Sequence, residues 1–306
     1  MRNDYTRRSF VRGLAISFSI LPLTTVGQRT PQKRRIGFLI GEAPTLIDAF
    51  YDEMRKLGYV DGKKVIIEKR VSRSNTPDLI SQAADLARMD LELIVAAALP
   101  QALEVRKNNP HMPMVIATCP GMVSNGFAQS LDRPGGIYTG IEELPKGVTA
   151  NRLRLLKTAA PGISRVALLS TTPGRGGHEA QLTDGELAAG SLRLSVRPYR
   201  ATSMRELEAA LAAIQNDRMD GLVNFQGGLS LANRQLIVDF AARNRIPAVY
   251  QSAFFVEVGG LMSWAPDQEG QYRTAARYVA KILRGAKPGD LPITHPGRYY
   301  LTINKS

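Results

Sequence analysis

Cysteine is almost absent from this chain of 306 residues, which contains only Cys119. A single thiol can form no intramolecular disulfide and no cysteine-based metal cluster. Histidine is scarce as well: His111, His178 and His295 lie on separate predicted loops, without the spacing of metal ligands. The sequence therefore predicts no metal site, and we expect no cofactor.

Charged residues are also few. They make up 22% of the chain, against 44% hydrophobic residues, and the chain has 27 glycines and 18 prolines. This composition is typical of a globular α/β protein with many tight turns. The formal net charge is +13, but eight basic residues against one acid give the first 35 positions +7, which leaves +6 for the rest. Because those remaining charges are mixed with acids and form no basic stripe, we expect no nucleic-acid partner.

Signatures of catalysis are missing too. Gly174-Arg175-Gly176 follows a predicted strand, but Glu179 stands where the third glycine of a dinucleotide-binding G-x-G-x-x-G motif belongs. No G-x-S-x-G elbow surrounds Ser230, and Cys119 has no visible base partner. The sequence therefore does not favour an enzyme.

The apolar run from Leu14 to Val26 is too short, and too broken by serine and proline, for a membrane span. It follows a twin-arginine pattern, Arg7-Arg8, within a basic segment. This order predicts a bacterial export signal over residues 1–30, with no cysteine for a lipid anchor, and hence a periplasmic location. The alternative is a disordered basic tail.

Beyond this leader, strands and helices alternate in two similar halves. Strands of the first half are predicted at 36–40, 64–70, 93–98 and 114–118, and helices at 46–57, 77–89 and 100–108. Strands of the second half are predicted at 165–170, 192–199, 220–225 and 246–250, and helices at 179–190, 203–213 and 229–244. Such alternation predicts parallel sheets with helices on both faces.

In each half, the alternation of strands and helices ends with a Gly-Gly turn and a short extra strand, at 133–140 and again at 257–264. A helix at 271–283 and a last strand at 299–303 follow. The pattern predicts two Rossmann-like lobes with parallel sheets, joined by a multi-strand hinge. We expect the N-terminal lobe to span 35–125 plus about 268–295, and the C-terminal lobe about 140–265.

Several motifs resemble those of a known family. They are Ile36-Gly37-Phe38-Leu39, Gly58-Tyr59-Val60-Asp61-Gly62, Asp132-Arg133-Pro134-Gly135-Gly136, Gly259-Gly260-Leu261-Met262-Ser263 and the stretch from Leu283 to Pro292. In this order they resemble ABC-transporter substrate-binding proteins of the type I periplasmic fold, in the branch that includes aromatic amino-acid binders. The resemblance implies a monomeric extracytoplasmic binder that delivers a small ligand to an inner-membrane ABC permease.

The same resemblance implies a ligand that is amino-acid-like or an aromatic or organic acid. In amino-acid-binding relatives, the strand before the Pro-Gly-Gly turn ends with an acidic residue that can meet the ligand amine. Here that strand ends Thr118-Cys119-Pro120, without a carboxylate. The family pattern also continues past Ile303 into another helical segment, whereas this sequence ends at Ser306.

Candidate ligand-binding residues lie in the loops after the strands, where open α/β sheets bind ligands. They are Ala43, Leu99, Pro100, Gln101 and Thr118 in the first half, and Thr171, Asn224, Phe225, Gln226, Gln251 and Asp267 in the second. The loop Leu99-Pro100-Gln101 precedes a helix, whose free N–H groups favour an anion.

Several of these candidates have structural alternatives. Asp267 suits a cationic group, but it equally suits the N-cap of the following helix. Asn224 and Gln226 suit neutral hydrogen bonds or simple loop capping. Phe225 and Trp264 could stack on an aromatic ligand, although core packing is favoured for both.

Two other functions use the same fold, a small-molecule-processing α/β enzyme and a ligand-sensing regulator. An enzyme needs convergent acid, base or metal groups. A regulator needs a DNA-binding helix-turn-helix before the first lobe, and the N-terminus has an apolar leader instead. A solute-binding protein is therefore the leading hypothesis.

Overall fold

Five parallel strands form the sheet of the first lobe in the computed structural model, which describes residues 33–41, 43–72, 77–171, 176–225 and 227–305. The strands are β1 (Arg34–Ile40), β2 (Val65–Val71), β3 (Leu93–Ala98), β4 (Met114–Cys119) and β5 (Tyr138–Glu142), in the spatial order β2-β1-β3-β4-β5. Helices α1 (Pro44–Lys56), α2 (Pro77–Arg88) and α3 (Leu99–Asn108) connect the first four. Each strand except β2 is almost entirely buried, as expected of a sheet covered on both faces. The predicted leader at 1–30 lies outside the described residues.

Six strands form the second sheet. They are β6 (Arg165–Ser170), β7 (Ser195–Arg200), β8 (Gly221–Asn224), β9 (Ala248–Tyr250), β10 (Met262–Pro266) and β11 (Tyr299–Ile303). Their spatial order is β11-β10-β9-β8-β6-β7, and only β11 runs antiparallel to its neighbour. The helices of this lobe are α4 (Val148–Ala159), α5 (Gly176–Ala189), α6 (Met204–Asn216), α7 (Gly228–Ala232), α8 (Arg234–Arg243) and α9 (Ala253–Val256). The predicted α/β architecture with two parallel sheets is confirmed.

Helix α10 (Gln268–Leu283) follows β10 in the chain but packs in the first lobe, against α1. Arg277 Nε donates to Glu53 Oε1 at 2.7 Å, and Tyr272 joins Phe38 in the core of that lobe. At 16 residues it is the longest described helix, and no described helix is both long and apolar enough to cross a membrane. The chain therefore crosses between the lobes three times: after β5, after β10 and before β11.

The sequence prediction differs from the structure at one helix of the second lobe. The predicted helix 229–244 is two helices, because it breaks at Asn233 between α7 and α8. The Asn233 side chain donates to the carbonyl of Leu229 at 2.9 Å, which ends the first helix as a cap. The predicted connection around Phe254 and Phe255 is itself a short helix, α9.

Two of the glycine motifs on which the family resemblance rests pack against each other in the first lobe. Gly135 N donates to the carbonyl of Gly289 at 3.1 Å. A Cβ on Gly289 would lie 2.3 Å from the carbonyl oxygen of Gly136, closer than any side chain could approach. The turn before β5 and the segment after α10 therefore form one joint beside the crossings.

Candidate functional site

The carboxyl ends of the two sheets face the same gap between the lobes. β5 ends at Glu142, and the chain passes from there into α4 of the second lobe. β10 ends at Pro266, and the chain passes from there into α10 of the first lobe. Because both crossings begin where parallel strands end, loops at the carboxyl ends of both sheets line this gap, as in open α/β folds that bind ligands.

In the first lobe, the predicted site residues lie at these strand ends with differing roles. Ala43 caps α1 through its carbonyl, which accepts from Leu46 N at 3.2 Å. Thr118 donates its hydroxyl to the carbonyl of Ala97 at 2.9 Å. Leu99 packs in the hydrophobic core, and Pro100 occupies the first turn of α3, where it supplies no N–H group.

Gln101 is the most informative residue of that set. Its side chain is 2% exposed, yet Oε1 accepts no hydrogen bond from a described residue. A buried carbonyl oxygen without a partner costs about 1–3 kcal/mol, so such atoms in native proteins call for a water or a ligand.

The second lobe has the same feature. Asn224, at the end of β8, is fully buried, and neither atom of its amide has a partner among the described residues. The buried hydroxyl of Thr171, after β6, is also unpartnered there. Three residues that the sequence singled out therefore carry unsatisfied polar atoms at the carboxyl edges of the two sheets. Gln226 lies outside the described residues.

Phe225 packs into the hydrophobic core of the second lobe, fully buried. This location favours the packing interpretation over stacking on a ligand. Trp264 is partly exposed, and its ring stacks on Tyr299 with centroids 4.4 Å apart. The stack joins β10 to β11 next to two of the crossings.

A cavity of about 470 Å³ opens beside these crossings and takes residues from both lobes. Thr45 and Leu46 of α1 line one side, and Gln251 and Phe254 line the other. Asp267 lies at its edge, where Oδ1 accepts from Gly270 N at 2.9 Å and so caps α10. The structure therefore brings Gln251 and Asp267 together, with Asp267 serving as a helix cap.

Arg152 of α4 lies behind this cavity, fully buried. Its Nε and Nη2 donate to the carbonyl of Trp264 at 3.2 and 3.1 Å, and its Nη1 donates to Gln181 Oε1 at 3.3 Å. Gln181 also accepts from Gln251, which links the guanidinium to the cavity wall. Burial lowers the pKa of Arg152 to about 10, against the opposing effects of Tyr299, Glu143 and Asp184.

Glu143, in the first crossing, was not identified from the sequence. Desolvation raises its pKa to about 7; the neighbouring charge of Glu142 adds to the rise, and Arg152 opposes it. Tyr299 donates its hydroxyl to the backbone carbonyl of Glu143 at 3.2 Å, which ties the first crossing to the third. The pair of acids at the end of the last strand of the first lobe was the available signal, but such a pair is usual on any solvated loop.

No group of three or more His, Cys, Asp or Glu side chains within the described ranges could hold a metal ion. Cys119 is buried at the end of β4, and burial raises the pKa of its thiol, with Glu142 and Glu143 adding to the rise. A thiol of raised pKa is a poor nucleophile at neutral pH.

Comparison with known proteins shows where this architecture recurs. The model of a family described as ABC transporter substrate binding protein matches residues 43–306. A tyrosine-binding protein from Clostridioides difficile (strain R20291) is 22% identical over 267 residues, which cover 86% of this chain and 76% of that protein.

Two solved structures have the same fold. An ABC domain in complex with L-Trp from Streptococcus pneumoniae superposes with a TM-score of 0.78 at 21% identity, covering 89% of this chain and 92% of the other. A ligand-free, open structure of a substrate-binding protein with adhesive properties from Clostridium difficile superposes with a TM-score of 0.70 at 22% identity, with the same coverage.

Proposed function

The chain belongs to the family of ABC transporter substrate-binding proteins, and we propose that it binds an amino acid between its two lobes and delivers it to an ABC permease in the inner membrane. Its fold is that of the type I periplasmic binding proteins. The observation that carries the proposal is the set of buried, unpartnered polar atoms at the carboxyl edges of both sheets, on Gln101, Thr171 and Asn224. Hydrogen-bonding atoms already withdrawn from water suit a small polar ligand.

An amino acid as ligand is supported by two relatives, one named for binding tyrosine and one solved with L-Trp. The cavity of about 470 Å³ is within the size range of small-molecule sites. Its lining combines Phe254 with charged and polar groups, among them Asp267 and Arg273. A zwitterion with an apolar side chain matches this mixture.

Binding is coupled to closure of the lobes about the three crossings. A ligand that contacts both lobes has more contacts when they are closed, so it stabilises that arrangement. Backbone segments without long helices make up the crossings after β5 and before β11. These segments can absorb the rotation while each sheet stays intact.

We further propose that the twin-arginine segment at Arg7-Arg8 directs export to the periplasm. The protein acts there as a monomer. Membership in a family that serves membrane importers supports an extracytoplasmic location. The ligand leaves chemically unchanged, because the protein binds and releases it without catalysis.

The test measures whether a ligand stabilises the protein against thermal unfolding and whether the ligand is recovered chemically intact. Purified protein is unfolded thermally with a panel of L-tyrosine, L-tryptophan, L-leucine, aromatic acids and small oxoacids. An amino acid at 100 times its dissociation constant should add about 2.7 kcal/mol to the free energy of unfolding. Chromatography should recover it intact. Consumption of a compound, with no stabilisation by any member of the panel, would contradict a binding function.

A further inference from the structure

A second cavity, of about 340 Å³, is lined by residues of the second lobe alone. It is bordered by Pro247 and Ala248, where β9 begins, by Leu261 directly before β10, and by Asn304 directly after β11. The gap between the lobes lies at the opposite, carboxyl edge of the parallel strands, and the two cavities have no lining residue in common within the described ranges. The smaller cavity is therefore a separate place for a ligand.

Tyr250 of β9 lines this second cavity and is almost completely buried. The residue is 1% exposed, and its ring stacks on Phe255 with the centroids 4.8 Å apart. A Cβ on Gly260 would lie 2.7 Å from Tyr250 Cε2, the ring atom next to the one that carries the hydroxyl group. Because Gly259 and Gly260 both line the cavity, the polar end of the tyrosine is directed toward it.

The hydroxyl group of Tyr250 makes no hydrogen bond with any described residue. Burial raises the pKa of Tyr250, and no hydrogen bond or neighbouring charge contributes to the rise, so the hydroxyl group stays protonated. Buried tyrosine hydroxyls usually find a partner, because an unsatisfied donor withdrawn from water is costly. Tyr250 is therefore a hydrogen-bond donor held at a cavity in which a ligand can supply the acceptor.

Arg245 supplies a positive charge at the same cavity. It directly follows the C-cap of α8, it is exposed, and its guanidinium makes no hydrogen bond and no ion pair with any described residue. None of the cavity-lining residues in the described part of the chain is acidic. A cation and a hydroxyl donor without a carboxylate favour an anionic ligand.

The remaining wall of the second cavity is mainly apolar. Val238 and Ala241 of α8 are buried, as is Ile246 before β9, whereas Leu261 is 40% exposed. An inorganic anion would leave these apolar walls in contact with water, whereas the apolar body of an organic acid would cover them. The volume of about 340 Å³ is within the range of small-molecule sites.

We propose that the second cavity binds a small organic carboxylate with an apolar body. The carboxylate accepts from the hydroxyl group of Tyr250 and pairs with Arg245, and the apolar body packs on Leu261. A free α-amino acid is disfavoured, because its ammonium group would meet Arg245 and no acid. This site is additional to the amino-acid site between the lobes and does not rest on it.

The experiment titrates the wild-type protein by calorimetry at pH 8 with hexanoate and with 3-phenylpropanoate. Hexanamide and 3-phenylpropanamide keep the apolar body but lose the charge, whereas acetate keeps the charge but lacks the body. Tyr250→Phe removes the hydroxyl group and keeps the ring that stacks on Phe255. Arg245→Gln removes the cation.

Arg218→Gln is the matched control for Arg245→Gln. Arg218 and Arg245 both follow helices in the left-handed conformation, with φ of 51° and 53°, and both are exposed. Arg218 does not line the second cavity. Thermal unfolding verifies that each variant is folded, and Arg245→Gln, which changes an exposed side chain, decides the outcome if Tyr250→Phe does not fold.

We expect each carboxylate to bind the wild type about tenfold more tightly than its amide and than acetate. Arg245→Gln should weaken the binding of both carboxylates about tenfold, and Tyr250→Phe about three- to tenfold. Arg218→Gln should change it by less than about twofold.

Three results would overturn the proposal. The first is that neither carboxylate binds the wild type, and the second is that the amides bind as tightly as the carboxylates. The third is that Arg245→Gln or folded Tyr250→Phe binds the carboxylates as tightly as the wild type does, which would show that the acids bind elsewhere, such as between the lobes.

Discussion

The carboxylate of Glu143 lowers the stability of the folded protein when it is ionised. An acid whose pKa is about 7 in the folded protein, against about 4.3 when unfolded, binds more protons in the folded state across that interval. Stability from this residue is therefore fully present below about pH 4 and is lost as the pH rises through 7.

This sign gives a prediction for the free protein. Glu143→Gln should be more stable than the wild type at pH 8, by up to roughly 3 kcal/mol, because the neutral amide avoids the desolvation of a charge. The two proteins should be nearly equally stable at pH 4, where the carboxyl group of Glu143 is largely protonated in both the folded and the unfolded state. Urea unfolding at the two pH values measures the difference. Glu208→Gln, at an exposed position, is the control and should have no such pH-dependent effect. Equal stability of Glu143→Gln and wild type at pH 8 would show that the carboxylate is better solvated than its surroundings indicate.

At the scale of the elements, the most constrained contact is the glycine joint between the turn before β5 and the segment after α10. Gly135 N donates to Gly289 O, and the backbone of Gly136 lies where a Cβ of Gly289 would be. Since the joined segments lead into and out of the crossings, the joint fixes the base of the hinge on the first lobe.

Gly289→Ala should therefore cost about 1–3 kcal/mol or more in the free energy of unfolding, because the added methyl group collides with backbone and cannot be relieved by a rotamer change. Gly162→Ala is the matched control, since nothing lies within 4 Å of the position that its methyl group would take and its φ is not left-handed. That substitution should be neutral or slightly stabilising. Chemical denaturation of both variants checks the pair, and equal stabilities would contradict the close approach.

For the whole molecule, the two lobes are separate cores. Phe38, Phe50 and Tyr272 lie in the core of one lobe, whereas Val249 and Phe225 lie in the core of the other. No hydrophobic cluster of described residues combines the two sheets. Relative motion of the lobes therefore leaves both cores packed, which is what hinge closure requires.

Closure predicts a change in dimensions with ligand. The radius of gyration from small-angle X-ray scattering should decrease when an amino acid that binds in calorimetry is added at saturation, because the ligand favours the arrangement in which both lobes contact it. An amino acid that fails to bind, at the same concentration, is the control. The same data report the molecular mass and so test the monomer. An unchanged radius with ligand demonstrably bound would contradict closure.

The sequence by itself determined the fold class and the order of the elements. Its apolar runs predict strands such as Leu93–Ala98 and Arg165–Ser170 with the observed bounds, because buried parallel strands are short apolar runs between turn signals. It also predicts that polar residues at the ends of strands, Gln101 and Asn224 among them, lie at the carboxyl edges of the sheets. Strands and the residues at their ends are local features, so the pattern of residues along the chain predicts them.

Tertiary structure decided which of those residues are satisfied and which are not. The sequence suits Asp267 equally to a cationic group of a ligand and to the N-cap of the next helix. The fold uses it as the cap of α10, and whether it also meets a ligand stays a prediction. Glu142 and Glu143 are indistinguishable as neighbours in sequence, yet the carboxylate of Glu142 accepts from two backbone N–H groups, whereas the carboxylate of Glu143 has no hydrogen-bond partner among the described residues. Burial and pairing depend on elements far apart in the chain, such as β4, α4 and β11 around Glu143. The spacing of residues along the sequence does not indicate how those elements pack together.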